Sequence, residues 1–102
     1  MLDAKQRKEI VIYSGFVRYF PLAIAEVARV SFIGNQQHSP GQELRWDRSK
    51  SGDELDALMR HLVDHASGNE RDTDGTLHIS KVAWRAMSFL QKYLEQNETT
   101  HN

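Results

Sequence analysis

Basic side chains recur in the C-terminal third of the chain at a spacing that could surround an anion. His78, Lys81 and Arg85 are separated by steps of three and four residues, and Lys92 follows seven residues later. These steps keep side chains within about 60° of each other on a helix, so the four residues form one cationic stripe. Such a stripe suits a phosphate-bearing ligand, but exposed basic stripes are most often solvated faces. The spacing alone leaves both interpretations open.

A second group of such side chains lies in the stretch from Gly34 to Gly52, which shows no hydrophobic period. A loop of that length in a small domain is uncommon and is usually functional. Its side chains can hold an anion and stack on a ring. They are His38, Arg45, Trp46, Arg48 and Lys50. The alternative is a surface loop in which Trp46 plugs the core and the basic residues are only solvated.

The following segment contains two further pairs of candidate residues, and the two members of each pair are four residues apart. Asp56 and Arg60 form one pair, and His61 and His65 form the other. Residues at this spacing are neighbours on one helix face. The first pair is also typical of a surface salt bridge, and the second is more often a packing pair than a metal site.

Acidic residues at two places are candidates for a metal ion. Asp53 and Asp56 are three residues apart, and Asp72 and Asp74 lie in the segment DTDG. Carboxylate oxygens suit Mg²⁺ or Mn²⁺, which bind nucleotides through their phosphates. Aspartates are also common in turns and near helix N-termini, where they need no metal ion. The sequence contains no nucleophilic triad, glycine-rich phosphate loop or dinucleotide fingerprint, so covalent catalysis is not expected.

Three helices must position these side chains. Pro21 suits a first helical turn, and the segment LAIAEVARVSFI continues without a breaker to Gly34, which predicts the end of the first helix. Only Glu26 and Arg29 interrupt its apolar character. We therefore expect the first helix to be the central, most buried one, with these two side chains as an ion pair.

The second helix is predicted from a capping box, in which the Ser51 hydroxyl and the Glu54 carboxylate satisfy amides at the helix start. It ends near Gly68, and a third helix runs from about Leu77 to Gln96. Apolar residues at helical spacing predict the inward faces of both helices. They are Leu55, Leu58, Met59, Leu62 and Val63, and then Ile79, Val82, Ala83, Ala86, Met87, Leu90, Tyr93 and Leu94.

These elements predict an all-α fold with three main antiparallel helices, a long functional loop and a short extended N-terminal arm. The apolar run from Ile10 to Tyr13 is compatible with a strand or with that arm. Residues 1–102 are interpreted as one helical domain, with 1–12 and 97–102 flexible. A chain of this size buries only about two thirds of its unfolded surface, so we expect a homo-oligomer.

Composition narrows the expected partners and compartment. The chain has no cysteine and a formal net charge of -1. Absent thiols favour a reducing cytoplasm, and a charge near zero argues against nucleic acid as a partner. No apolar run approaches the roughly 20 residues of a membrane span, so no membrane partner is expected. Any recognition of phosphate therefore has to be local.

Three segments together resemble a known family. They are YFPLAIAEVARVSFIGNQQHSPGQELRW, DALMRHL and DTDGTLHISKVAWRAMSFLQ. The family is the phage-encoded dATP/dGTP diphosphohydrolase N-terminal domain, and the resemblance covers nearly the whole chain. It implies an all-α protein of phage or prophage origin, in the host cytoplasm. It also implies hydrolysis of dATP or dGTP to the monophosphate and pyrophosphate, with Mg²⁺ or Mn²⁺ as cofactor.

The resemblance implies roles for individual residues as well. Catalytic roles fall to Asp56, His61 and His78, and metal binding falls to Asp56, Asp72 and Asp74. The basic and aromatic pattern supplies the residues expected to bind the nucleotide. They are His38, Trp46, Arg48, Lys50, Arg60, Lys81, Trp84 and Arg85. We expect these residues to converge on one pocket.

A different function follows from the number of carboxylates. All-α pyrophosphohydrolases carry Glu-x-x-Glu and Glu-x-x-Asp pairs on facing helices, whereas the first helix here offers Glu26-x-x-Arg29. Fewer metal carboxylates weaken hydrolysis more than binding. The alternative is therefore a non-catalytic protein that binds a nucleotide or cyclic oligonucleotide and sequesters a host signal. A structural or regulatory assembly protein is a third interpretation.

Overall fold

The structure, a computed structural model, describes the backbone of residues 2–50 and 52–100 and the side chains of 2–49 and 52–97. The described elements are α1 (Ala4–Lys8), a π-helical turn (Tyr13–Val17), α2 (Pro21–His38), a 3-10 turn (Arg48–Lys50), α3 (Glu54–Ala66) and α4 (His78–Thr100). The described residues form no strand; Arg71 and Leu77 make one isolated β-bridge. The prediction of an all-α fold is confirmed.

The first long helix, α2, begins as predicted and ends later than predicted. Pro21 occupies its first turn, and Glu26 and Arg29 form the expected ion pair, with 3.8 Å between Oε1 and Nη1. The predicted stop at Gly34 is wrong, because the helix continues to His38. A single glycine costs a helix only about 1 kcal/mol, whereas Pro40 disfavours helical backbone in the residue before it.

The start of α3 also differs from the prediction. Its N-cap is Asp53, whose side chain makes no capping hydrogen bond. Glu54 does not complete a capping box; it is buried, and its Oε1 accepts a hydrogen bond from Lys92 Nζ at 2.9 Å. Ser51 lies outside the described residues. At the other end Gly68 has a φ of 94°, which fits the predicted helix stop.

The N-terminal segment is helical, so the prediction of an extended arm is wrong. Asp3 and Gln6 form a capping box that starts α1. The run from Ile10 to Tyr13 leads into the π-helical turn, where the Gly15 amide donates to the Val11 carbonyl at 2.8 Å. No single described helix is long and apolar enough to cross a membrane, although the pair Ala4–Val17 and Pro21–His38, bent by 91°, meets that length and composition together.

The central helix of the described chain is α4 and not α2. Helix α4 packs against both α3 and α2, and it extends beyond the predicted Gln96 to Thr100. Its buried residues include His78, Ser80 and Ser88, whereas α2 has no buried residue. Helix α2 is apolar on nearly all sides, yet each of its residues stays at least partly exposed.

The described interior is mostly polar, and the described surface is unusually apolar. Ala57 is the one hydrophobic residue that is buried among the described residues. Most of the predicted inward faces of α3 and α4 are exposed in the single chain, so that part of the prediction is wrong. Exposed members are Leu55, Met59, Leu62, Val63, Ile79, Met87, Leu90, Tyr93 and Leu94. Helical spacing identified apolar faces correctly, but it did not identify what covers them.

The chain also exposes more surface than a monomer of its mass. Its accessible surface is 8124 Å², whereas a monomeric globular protein of 11.8 kDa exposes about 5,900 Å². Obligate homodimer interfaces bury about 1,000–2,500 Å² per subunit, a range that includes this excess of about 2,200 Å². The radius of gyration of 15.8 Å also exceeds the roughly 13 Å expected for 100 residues. The homo-oligomer expected from the sequence would cover this apolar surface with a second copy of the chain.

Light scattering tests this expectation. We expect a mass at least twice the 11.8 kDa of one chain at micromolar concentration. Leu22 and Phe32 on α2 are 83% and 56% exposed, so Leu22→Glu and Phe32→Glu are expected to lower the mass by placing a charge in the apolar contact. A wild-type mass of one chain would contradict the expectation.

Two glycines give opposite expectations for stability. Gly75 has a φ of 83°, which costs a residue with a Cβ about 1–2 kcal/mol, so Gly75→Ala should lower the free energy of unfolding by that amount. Gly34 lies inside α2 and has no atom within 4 Å of an added Cβ. Gly34→Ala should therefore raise the free energy of unfolding by up to about 1 kcal/mol. Urea denaturation of both variants measures the difference, and equal effects would refute it.

Candidate functional site

A cavity of about 590 Å³ lies where the C-terminal half of α2, the loop after it and the first turns of α4 meet. Helix α3 contributes His61 to its wall, and the turn before α4 contributes Asp72 and Asp74. Small-molecule sites usually enclose about 300–1,000 Å³, so the cavity has the size of a ligand site.

Two indole rings form one wall of the cavity. Trp84 of α4 donates a hydrogen bond from Nε1 to Ser31 Oγ of α2 at 2.9 Å. Trp46 of the loop packs edge to face against Trp84, with 5.8 Å between ring centroids. The Arg48 guanidinium lies 4.3 Å from the centroid of the Trp46 ring. The indoles therefore hold α2, α4 and the loop together, and they give the cavity an aromatic surface.

The Lys81 ammonium joins the two carboxylates at the cavity edge. Lys81 Nζ donates to Asp72 Oδ2 at 2.7 Å and to Asp74 Oδ2 at 2.8 Å. Burial opposes the charged form of Asp74, but hydrogen bonds from Lys81 and Thr76 lower the pKa of Asp74 to about 2. The hydrogen bond from Lys81 likewise lowers the pKa of Asp72. All three groups are therefore charged near neutral pH.

Two histidines meet beside this bridge. His61 Nδ1 and His78 Nδ1 are 2.8 Å apart, within hydrogen-bond distance. His78 is 3% exposed, and its buried Nε2 has no hydrogen-bond partner among the described residues. Asp64 Oδ2 is 3.8 Å from that nitrogen, which is too far for a hydrogen bond. Burial, and then the charge of Lys81, lower the pKa of His61.

Most residues predicted to bind or act on a nucleotide meet at the cavity. His38, Trp46, His61, Asp72, Asp74, Lys81, Trp84 and Arg85 line it. His78 is not part of the lining and reaches the cavity region through its contact with His61. The convergence comes from helix crossings, because these residues belong to α2, the loop, α3, the turn and α4.

Other predicted residues lie elsewhere. Arg48 binds Glu95 at 2.6 Å and is not part of the cavity lining, and Arg60 pairs with Asp53 and not with Asp56. Asp56 is exposed on α3 and does not line the cavity. The side chain of Lys50 lies outside the described residues.

The predicted cationic stripe on α4 does not form an exposed ridge. His78 is buried, Lys81 binds two carboxylates, and Lys92 binds Glu54. Helical spacing correctly placed these side chains on one side of α4, but it could not show that acidic partners from other segments cover that side. Arg85 is the member that lines the cavity and has no carboxylate partner among the described residues.

Several lining residues were not predicted as site residues. Asn35 and Gln37 line the cavity from the last turns of α2, and Gln37 Nε2 donates to Asp74 Oδ2 at 3.2 Å. They were missed because only the basic and aromatic side chains of this stretch were expected to bind a ligand, and these two are neutral amides. Arg45, which the sequence analysis named among the loop side chains able to hold an anion, also lines the cavity without a carboxylate partner among the described residues. Arg45 and Arg85 therefore give the cavity two cations that are available to an anion.

Comparison with known proteins finds one family. A family model described as dATP/dGTP diphosphohydrolase, N-terminal, matches residues 3–102. The matched range contains all the cavity residues described above. Neither the curated proteins nor the solved structures give a significant match.

Removal of the Lys81 ammonium tests its structural role. Lys81→Met leaves two partly buried carboxylates without their shared donor, so the free energy of unfolding should fall by about 1.5–3 kcal/mol. Arg29→Met removes an ion pair whose side chains are both well exposed, and it should cost less than about 0.5 kcal/mol. Denaturant unfolding of both variants measures the difference. Equal losses would show that Lys81 behaves as a surface cation.

Proposed function

The chain belongs to the dATP/dGTP diphosphohydrolase N-terminal family, and from this premise we propose that its cavity binds a purine deoxynucleoside triphosphate and supports its hydrolysis to the monophosphate and pyrophosphate. The observation that carries the proposal is the cavity itself. Two indoles, two cations without carboxylate partners and a cluster of histidines and aspartates line or border one space of about 590 Å³.

The two ends of a nucleotide have different requirements, and the cavity offers both. A purine has an apolar face that packs against aromatic rings, and Trp46 and Trp84 provide such a wall. A triphosphate requires cations, and Arg45, Arg85 and His38 line the same space. We place the base against the indoles and the phosphates toward the arginines.

Hydrolysis requires more than binding. A divalent ion, predicted from the sequence to be Mg²⁺ or Mn²⁺, would neutralise the phosphates and lower the pKa of an attacking water. Of the three predicted metal carboxylates, Asp72 and Asp74 line the cavity, whereas Asp56 does not. The predicted set of three carboxylates is therefore not assembled. The residues at the cavity that take the place of Asp56 in this proposal are His61 and, behind it, His78.

One observation favours the non-catalytic alternative. Lys81 binds both cavity carboxylates at 2.7 and 2.8 Å, so a cation of the protein itself offsets one of their two negative charges. A protein that only retains a nucleotide or a cyclic oligonucleotide needs the indoles and arginines, and it does not need free carboxylates. Product analysis separates the two functions.

We expect pyrophosphate and a deoxynucleoside monophosphate when the protein is incubated with dATP or dGTP and Mg²⁺ or Mn²⁺. Anion-exchange chromatography resolves these products, and dCTP and dTTP are the matched substrates for base preference. Unchanged nucleotide that co-elutes with the protein would support the binder. If dATP and dGTP are neither cleaved nor retained, both the hydrolysis and the retention of these nucleotides are refuted.

Affinity for the nucleotide should depend on Arg85. A charge-assisted contact contributes roughly 1.5–3 kcal/mol, so Arg85→Ala should weaken binding of dGTP about tenfold to a hundredfold. Arg29→Ala removes an exposed arginine of α2 that does not line the cavity and serves as the control. Tryptophan fluorescence during titration with dGTP, without metal, reports the affinity. Equal affinities of the two variants would place the phosphates elsewhere.

A further inference from the structure

Three side chains from separate segments present metal-binding atoms to one point beside the cavity. They are His61 of α3, Asp72 of the turn and His78 at the start of α4. One ligand atom from each lies within 4.8 Å of the other two. This set differs from the carboxylate set predicted from the sequence, because it contains two imidazoles and only one of the three carboxylates.

We propose that His61, Asp72 and His78 bind one divalent ion of the manganese-to-zinc series in preference to Mg²⁺. The two histidines would ligate through Nδ1, and Asp72 would ligate through a carboxylate oxygen. Two nitrogens that bind one ion at about 2.0–2.1 Å and at roughly a right angle lie about 3 Å apart. The observed distance between the Nδ1 atoms is 2.8 Å. The nitrogens are thus already separated as two adjacent ligands of one ion require.

The hydrogen bonding of His78 supports the same site. In neutral imidazoles one Nδ1 must donate to the other across the 2.8 Å contact. If His78 donates, its buried Nε2 is an acceptor without a donor; if His61 donates, the His78 Nε2–H is a donor without an acceptor. An ion on the Nδ1 side would accept the lone pairs of both Nδ1 atoms, and it would fix the His78 proton on Nε2, the nitrogen that lies nearest to Asp64.

The surroundings of His78 also suit a ligand. When Nδ1 binds a metal, Nε2 carries the proton, and metal-ligating histidines usually donate that proton to a carboxylate or carbonyl. The Asp64 carboxylate lies 3.8 Å from His78 Nε2, and a small rotation of this half-exposed side chain would make the hydrogen bond. Asp64 is therefore a positioning residue for His78.

The choice of ion follows from the donor atoms. Mg²⁺ binds oxygen ligands and keeps several waters, whereas imidazole suits the later divalent ions. Asp72 and Asp74 together with Lys81 leave one net negative charge beside the two imidazoles. A divalent ion there would keep a positive charge, and it would lie at the same cavity as Arg85. The proposal does not rest on the proposed function, because metal binding is measured without a nucleotide.

The test uses chelator-treated full-length protein and Co²⁺, whose visible absorption reports nitrogen ligation. We expect one Co²⁺ per chain, displacement of Co²⁺ by Zn²⁺, and retention of Co²⁺ in a large molar excess of Mg²⁺. Loss of the absorption on addition of Mg²⁺ would overturn the stated preference. Absence of any Co²⁺ or Zn²⁺ binding would overturn the site, and it would leave nucleotide hydrolysis to be judged by its own products.

Variants identify the ligands. Loss of a residue that only supports a ligand lowers metal affinity about 10- to 100-fold, so His61→Ala and Asp72→Asn should each lower it by at least about 100-fold. His65→Ala is the matched control, because His65 lies on the same helix four residues from His61 and is not part of the cluster. Equal affinity of His61→Ala and His65→Ala would overturn the assignment.

A second measurement keeps the test independent of folding, since His78 is buried and His78→Ala could fail to fold. In the proton NMR spectrum of the wild-type protein, bound paramagnetic Co²⁺ should shift the resonances of the nearest protons. These are the imidazole protons of His61 and His78. Circular dichroism of His61→Ala is expected to show that its helices remain formed. Shifts confined to His38 or His65 would overturn the proposal.

Discussion

The contact on which the site depends is the Lys81 ammonium between Asp72 and Asp74. It ties the turn before α4 to the first turns of α4 itself, and it places both carboxylates at the cavity edge. Gln37 reaches Asp74 from the end of α2, so the same carboxylate also joins a third element. The three charged groups are partly buried, and buried charges are stable only when they are paired and hydrogen-bonded. The polar network is therefore both the scaffold of the turn and part of the cavity wall.

The candidate site depends on buried polar groups, whereas the stability of the fold depends on apolar groups that are exposed in the single chain. Within one chain the buried positions hold Glu54, Thr76, His78, Ser80 and Ser88, and the exposed positions hold most of the large apolar residues. The hydrophobic effect is proportional to the apolar area removed from water, so this chain gains little of it alone. Burial of the apolar faces by a second copy would supply that stabilisation without occupying the polar interior.

The sequence predicted what depends on neighbours along the chain. Pro21, Gly68 and the ion pair of Glu26 with Arg29 are local features, and each lies where the pattern placed it. The contact of His61 with His78 spans 17 residues and depends on how α3 crosses α4, which no local pattern contains. Residues that share one helix face were identified from spacing, but their burial depends on other segments. The metal role of Asp56 was expected from the family resemblance and from residue spacing. Neither of them determines whether the Asp56 carboxylate lies at the cavity or on the exposed side of α3.

Asp72 is both a partner of Lys81 and a member of the proposed metal site. One of its oxygens accepts from Lys81, the other accepts from the Thr73 amide, and the carboxylate still offers lone pairs toward His61 and His78. Its position is thus set by contacts that do not involve a metal ion. In many small metal-binding domains the ligands come together only when the ion binds, so that metal affinity is coupled to folding. Here the fold already holds the ligand atoms within 4.8 Å of one another, so an ion would fill an arrangement that the turn and the two helices maintain without it.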